Sequence, residues 1–227
     1  MRGPLRALST VLIISGALML SDAALTVAWQ EPLSALYAQI VQGRLGDDLR
    51  KLELAKPSAR DLAALRSLES DRRRMAFLAR SLLRTAKRGE AVGRIRIPRI
   101  GASFVIVKGT DSASLRKGPG IYDDMPFPGA PGTVAIAGHR TTYRAPFRSI
   151  DKLDPGDELS VEMPYGRFTY RVQQRKIVAP TTVSVVKRVG YDRLVLSACH
   201  PLYSAAKRLI VFARLIRAQP RGTALIS

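Results

Sequence analysis

Hydrophobic periodicity divides the chain into parts. From Val92 onward apolar residues recur at every second position, the period of a strand with one face buried. "VGRIRIPRI" alternates apolar with basic residues, and "ASFVIVKG", "GTVAIAGHR", "ELSVEMPYG", "RFTYRVQQRKIVAP", "RLVLSACHP" and "RLIVFARLI" are further strand candidates. "KGPG", "PFPGAPG" and "DPGD" punctuate them as turns. One short helix is expected at "APFRSIDKL". Many short strands between turn signals predict a mainly β domain over residues 92–227, a closed barrel or a sandwich.

Residues 30–91 carry the helical period instead. Pro32 suits a first helical turn, Leu33, Leu36, Tyr37, Ile40 and Val41 share one face, and Gly43 can end the helix. In "PSARD", Ser58 and Asp61 have the spacing of a capping box. Leu62, Leu65 and Leu68, then Phe77, Leu78 and Leu82, continue an apolar face. This region reads as a helical stalk that holds the β domain away from a surface.

Residues 1–29 read as a basic tip followed by a membrane anchor. Leu8 to Trp29 would measure about 33 Å as a helix, enough to cross a bilayer. Arg2 and Arg6 precede the span and keep the N-terminus cytoplasmic, and Trp29 sits where an interfacial aromatic belongs. Asp22 is costly in lipid, and the shorter run Leu8 to Ser21 would instead suit a cleaved signal peptide. Both readings place the β domain outside the cytoplasm; the expected localisation is a single-pass cell-membrane protein.

Charge narrows the partners. The net charge is +19, and residues 93–227 alone hold 22 Lys+Arg against 9 Asp+Glu. No aromatic-interleaved basic stripe and no zinc-finger spacing accompany it, so nucleic acid is not the expected partner; an anionic membrane or wall polymer is. There is no glycine-rich phosphate loop and no His/Cys cluster with metal spacing, so neither a metal nor another cofactor is expected.

The chemistry centres on the single cysteine. Cys199 ends an apolar run in "LVLSACHP"; alone it reads either as a small buried hydrophobe or as a nucleophile. Of the two histidines, His200 is its neighbour on an extended strand and faces the other way. That leaves His139, at the end of "TVAIAGH", to pair with the thiol and lower its pKa. Arg208 opens the next strand and offers a planar donor fork for a developing oxyanion. Asp192 is a weaker candidate for orienting the histidine.

Together, "IRIPRIG", "PGTVAIAGHRTTYRAPFRSIDKLDPGD" and "LVLSACHP…RLIV" resemble the sortases, membrane-anchored cysteine transpeptidases of Gram-positive surfaces. "GHRTTYRAPF" and "CHPLYSAAKRLIV" look most like class E. The resemblance covers about residues 92–217. It implies an eight-stranded barrel with Cys199 as nucleophile, His139 as acid/base and Arg208 as the supporting cation, and it assigns Tyr143 to substrate contact. The family's cysteine strand commonly reads T-L-x-T-C, whereas this chain reads "VLSAC"; Ala198 thus stands in place of a threonine expected to touch substrate or oxyanion. The implied reaction cleaves an LPxTG- or LAxTG-like signal on an exported protein between Thr and Gly. The acyl group would then pass through a thioester to an amine of a peptidoglycan precursor. Two alternatives stand beside it. An L,D-transpeptidase-like cross-linker would need S-x-G-C-x-R, which "LSACHP" does not match. A membrane-tethered binding module for anionic wall polymer would leave Cys199 inert.

Overall fold

The computed structural model describes residues 2–28 and 32–225. Five α-helices and eight strands follow one another as α1 (Arg2–Ala28), α2 (Pro32–Leu54), α3 (Ala59–Arg66), α4 (Asp71–Thr85), β1 (Ala91–Ile97), β2 (Ala102–Lys108), α5 (Ser112–Lys117), β3 (Gly120–Ile121), β4 (Thr133–Ala137), β5 (Glu158–Met163), β6 (Gly166–Val178), β7 (Arg193–His200) and β8 (Lys207–Pro220). The strands close into a barrel in the order β1-β2-β3-β4-β7-β8-β6-β5. The barrel is thus the eight-stranded one that the resemblance implies.

Period-two patterning fills it. Ile95, Ile97, Phe104, Ile106, Val134, Ile136, Phe168, Leu194, Leu196 and Val211 all point into one interior core. Burial leaves the alternating residues on the outside. On β4, β7 and β8 four of these, Ala135, Val195, Ile210 and Phe212, form a second apolar patch. Tyr122, Met125, Val185 and Val186 from the flanking loops pack over this patch.

Seven strands coincide with sequence segments. The eighth, β3, has two residues, too few to show a period. It is held by close approach: a Cβ on Gly120 would collide with the Gly109 carbonyl oxygen. Helix α5 was likewise invisible to periodicity at six residues, and is nucleated by Asp111, whose side chain accepts from the Ala113 and Ser114 amides. The helix expected at "APFRSIDKL" is only a 3-10 turn, Ile150–Lys152.

The helical region differs from a free stalk. Helix α2 runs through Gly43 and Gly46 to Leu54, because it lies against the barrel and tertiary packing outweighs glycine's cost. Its buried face is Ala38, Leu45 and Leu49, while Leu36, Tyr37 and Ile40 are exposed. Leu45 and Leu49 pack on Ala91, Val105 and Val107. Gln42 works as a side-chain rung: its amide donates to Val105 O (3.1 Å) and Lys117 O (2.8 Å) and accepts from Val105 N (2.8 Å). The N-cap expected at Ser58 forms, its Oγ accepting from the Asp61 amide (3.1 Å), but the Asp61 carboxylate accepts from the Ser58 hydroxyl (2.8 Å) and not from the Ser58 amide of a full capping box. Helix α4 adds Met75 and Ala79 to the barrel core.

The anchor expected at residues 1–29 is not supported. Helix α1 forms, but no helix among the described residues is long and apolar enough to cross a membrane. Trp29 lies outside the described residues.

Candidate active site

Register assembles the site. Strands β4 and β7 are parallel, with Ala137 opposite Ser197, and the Gly138 amide extends the ladder by donating to Ser197 O at 3.1 Å. Two residues past that pair come His139 and Cys199. Strands β7 and β8 are antiparallel, with Cys199 directly opposite Arg208. All three therefore meet at one end of the barrel. The core takes Leu194, Leu196 and Ala198 from β7 and Leu209 and Val211 from β8. Alternation puts Cys199 and Arg208 on the opposite, outer face, in line with Val195, Ile210 and Phe212.

Cys199 is partly exposed and lines a cavity of about 310 Å³ between residues 140–142 and 201–205. It is neither sealed in hydrocarbon nor oxidised to a partner. Arg208 is turned onto the β7–β8 turn, where Nη1 donates to Ala205 O (2.9 Å) and Lys207 O (3.0 Å). Among the described residues no hydrogen bond joins the Cys199 side chain to His139 or Arg208. The fold brings the three to one rim without locking them together.

His139 is half-buried, and its Nε2 is buried with no hydrogen-bond partner. Burial, and secondarily the Arg116 cation, push the His139 pKa below its ordinary 6.5. The ring therefore rests neutral at neutral pH. The sign gives a test. Below pH 6.5 the unfolded histidine gains a proton that the folded one resists, so stability falls as pH drops. Melting temperature should decline between about pH 7 and about pH 5, and His139→Gln should flatten part of that slope. An unchanged slope would contradict the buried neutral ring.

Tyr143 lies against this histidine, with ring centroids 5.2 Å apart. Tyr37 of α2 meets Tyr143 edge-on at 6.3 Å, and the Tyr143 amide donates to Ser34 Oγ at 3.3 Å. Tyr143, Arg144 and Ala145 all have positive φ (52°, 61° and 40°), a left-handed turn without a glycine. Such residues cost on the order of 1 kcal/mol or more each and cluster at functional sites. Phe147 fastens the turn: its ring is fully buried and its amide donates to His139 O at 2.9 Å.

Two sequence assignments are corrected. Ala198 is 3% exposed with its methyl in the barrel core, so it supports the strand and does not touch a substrate. Strand alternation forces this, since Cys199 takes the outer face. Asp192 sits at the other end of β4 and β7; Oδ1 accepts from Gly132 N (2.8 Å) and Oδ2 pairs with Arg72 (3.3 Å). It cannot orient His139.

Sequence reasoning missed Arg140, although its place after His139 was visible. The residue is 4% exposed, and its guanidinium pairs with Asp151 at 3.0 Å. It also missed Arg193, which donates to Val185 O (2.8 Å) and Lys187 O (2.6 Å) and so holds the loop that covers the outer patch. A buried role for either arginine does not show among 37 Lys and Arg residues. Among the described residues no group of His, Cys, Asp and Glu could hold a metal ion.

Comparison with known proteins gives a consistent picture. The family model described as Sortase domain matches residues 95–216. Sortase D of Bacillus subtilis is 36% identical over 132 residues, 56% of this chain and 65% of that protein. Sortase SrtE1 of Streptomyces coelicolor is 30% identical over 59% of this chain and 43% of its own length. The chain thus spans less than two thirds of either relative. Among solved structures, sortase E from Streptomyces avermitilis superposes with a TM-score of 0.54 at 34% identity, covering 61% of this chain and 99% of that one. Sortase E1 from S. coelicolor, crystallised with a tripeptide in its active site, gives 0.55 at 29% identity over 59% and 92%.

Proposed function

Because this chain belongs to the sortase family of cysteine transpeptidases, with relatives in classes D and E, we propose that it cleaves a C-terminal sorting signal and transfers the new carboxyl end to an amine. The observation that carries this reading is the shared register: His139, Cys199 and Arg208 come from three neighbouring strands at one barrel end. The proposed signal is LPxTG- or LAxTG-like, cut between Thr and Gly, and the proposed acceptor is an amine of a peptidoglycan precursor. The apolar patch of Ala135, Val195, Ile210 and Phe212 lies on the same outer face and, covered by Tyr122, Met125, Val185 and Val186, braces the strands that carry the thiol.

The neutral resting state of His139 shapes the first step. Cys199 loses its proton to His139 as the sulfur attacks the Thr carbonyl carbon. The carbonyl oxygen gains the electron pair and its charge is met by Arg208, once the guanidinium swings from the turn carbonyls. Collapse breaks the C–N bond, and His139 returns the proton to the departing glycine amine. A thioester on Cys199 remains. The acceptor amine then attacks it, His139 takes the amine proton and gives it back to sulfur. Tyr143, whose ring lies against His139 with centroids 5.2 Å apart, is the proposed contact to the signal.

The protein is proposed to work outside the cytoplasm at the cell membrane. Large apolar side chains exposed on α1, including Leu12, Ile13, Leu18 and Leu20, support membrane contact through that helix.

The test is mass spectrometry of the full chain with a panel of signal peptides and an amine donor. A signal cut after Thr, a Cys199 acyl adduct and an amine-capped product are expected. Arg208→Ala should lower kcat/KM by about 10²–10³-fold, the scale of losing an oxyanion donor. A chain that processes no peptide, or an Arg208→Ala variant at full rate, would refute the scheme.

A further inference from the structure

Strand β4 ends at Ala137, and its last ladder bond to β7 runs from Gly138 N to Ser197 O at 3.1 Å. In a continuing parallel ladder the next rung would run from the amide of residue 140 to the carbonyl of residue 199. The chain leaves the sheet there, because His139 has to turn into the site. The Arg140 side chain takes over the missing rung: Nη1 donates to Cys199 O at 3.5 Å and to His200 Nδ1 at 3.3 Å. A guanidinium only donates, so His200 Nδ1 accepts and its ring proton sits on Nε2.

The rest of the guanidinium grips the loop that follows His139. Nε and Nη2 both donate to Arg148 O, at 3.2 and 3.0 Å, and Nη2 pairs with Asp151 Oδ1 at 3.0 Å. One buried cation therefore binds the carbonyl of the cysteine residue itself, the residue after it, and the far end of the histidine loop. Its side chain is 3% exposed while that of Asp151 is 50% exposed. Arg140 also lines the cavity into which Cys199 opens.

We infer that Arg140 is the positioning residue of this transpeptidase: through the Cys199 carbonyl and the 140–151 loop it sets the distance and angle between the Cys199 sulfur and the His139 ring. The inference rests on the transpeptidase reading above. Its physical basis is that no hydrogen bond joins the two reacting side chains, so their alignment is carried by the backbones that bear them. Rotation of the Cys199 peptide plane moves Sγ directly, and the guanidinium opposes that rotation. A lysine offers a single point charge and cannot span the Arg148 and Cys199 carbonyls at once.

The experiment measures steady-state cleavage of a signal peptide by the full chain, with thermal melting and iodoacetamide alkylation of Cys199 recorded on every variant. Arg140→Met and Arg140→Lys are expected to lose about 100-fold in kcat with KM changed by no more than about threefold, the signature of misaligned chemistry and not of lost binding. Alkylation of Cys199 by the small reagent should remain within about threefold of wild type, since access to the thiol is untouched. Asp151→Asn, which loosens the clamp from its exposed side, should fold as wild type and lose about tenfold in kcat. Its readout stands even if neither Arg140 variant folds. Melting-neutral variants with wild-type kcat, or losses that appear in KM alone, would overturn the positioning role. So would a folded Asp151→Asn protein at full kcat. A wild-type chain that cleaves no signal peptide sinks the transpeptidase reading and this role with it; an active wild type beside unimpaired variants sinks this role alone.

Discussion

Replacing Cys199 by alanine is expected to abolish the acyl adduct and to lower peptide cleavage by about 10⁵-fold or more. Cys199 is the sole cysteine, so no neighbouring thiol can substitute. It is half open to a cavity on the outer face of β7, and the change removes a small side chain from a partly exposed position. Folding should be almost unaffected, which makes the loss readable as chemistry. Intact-mass measurement after incubation with a signal peptide shows the adduct directly, and melting curves verify the fold. If alanine at this position still gave a covalent intermediate or cleaved at a rate near wild type, the nucleophile would have to be sought elsewhere.

The second large effect falls on stability. Phe147 is fully buried in the barrel core although it lies in the loop after the candidate histidine. Truncation to alanine should cost about 3–5 kcal/mol, from lost transfer energy and the cavity left behind. The site should suffer with the core, because the Phe147 ring fills the space next to Gly138, where an added Cβ would come within 2.6 Å of it. Gly138 is the residue between β4 and His139, so the ring fixes the path of the chain into the site. Chemical denaturation measures the first effect. Cleavage rates well below the melting transition measure the second, and a variant losing less than about 1 kcal/mol would show that this loop packs independently of the barrel.

The core of the active site was legible in the sequence for a simple reason. Catalytic residues at strand ends sit beside long alternating runs, and alternation reports both the strand and the face. "TVAIAGH", "LVLSAC" and "RLIVF" each state which residues go inward, and the parity of Cys199 and Arg208 follows. The same parity excludes Ala198 from substrate contact; the family comparison, which aligned it with a threonine, said nothing about its direction. Local signals also fixed the Ser58 cap.

What failed depended on contacts remote in sequence. The exposed Leu36 and Ile40 looked like a buried face because apolarity alone does not say which neighbour will cover it. Helix α2 turned its Ala38, Leu45 and Leu49 face to β1 and β2 instead, and Gln42 met backbone groups 63 and 75 residues away. Asp192 is near Cys199 in number yet lies at the far end of β7, where it accepts from the Gly132 amide. The pKa of His139 could not be read at all: it follows from burial and from Arg116, 23 residues upstream on α5.

The sequence by itself determined that residues 92–227 form a mainly β domain with a cysteine, a histidine and an arginine at strand mouths, because alternation and turn residues are local properties of a polypeptide. Only the tertiary structure decided that Arg140 is buried against the Cys199 carbonyl, that Ala198 belongs to the core, and that the helices clasp the barrel. Those outcomes hinge on which strands lie side by side and in what register, and a register between residues some sixty positions apart is set by the packing of the closed barrel as a whole.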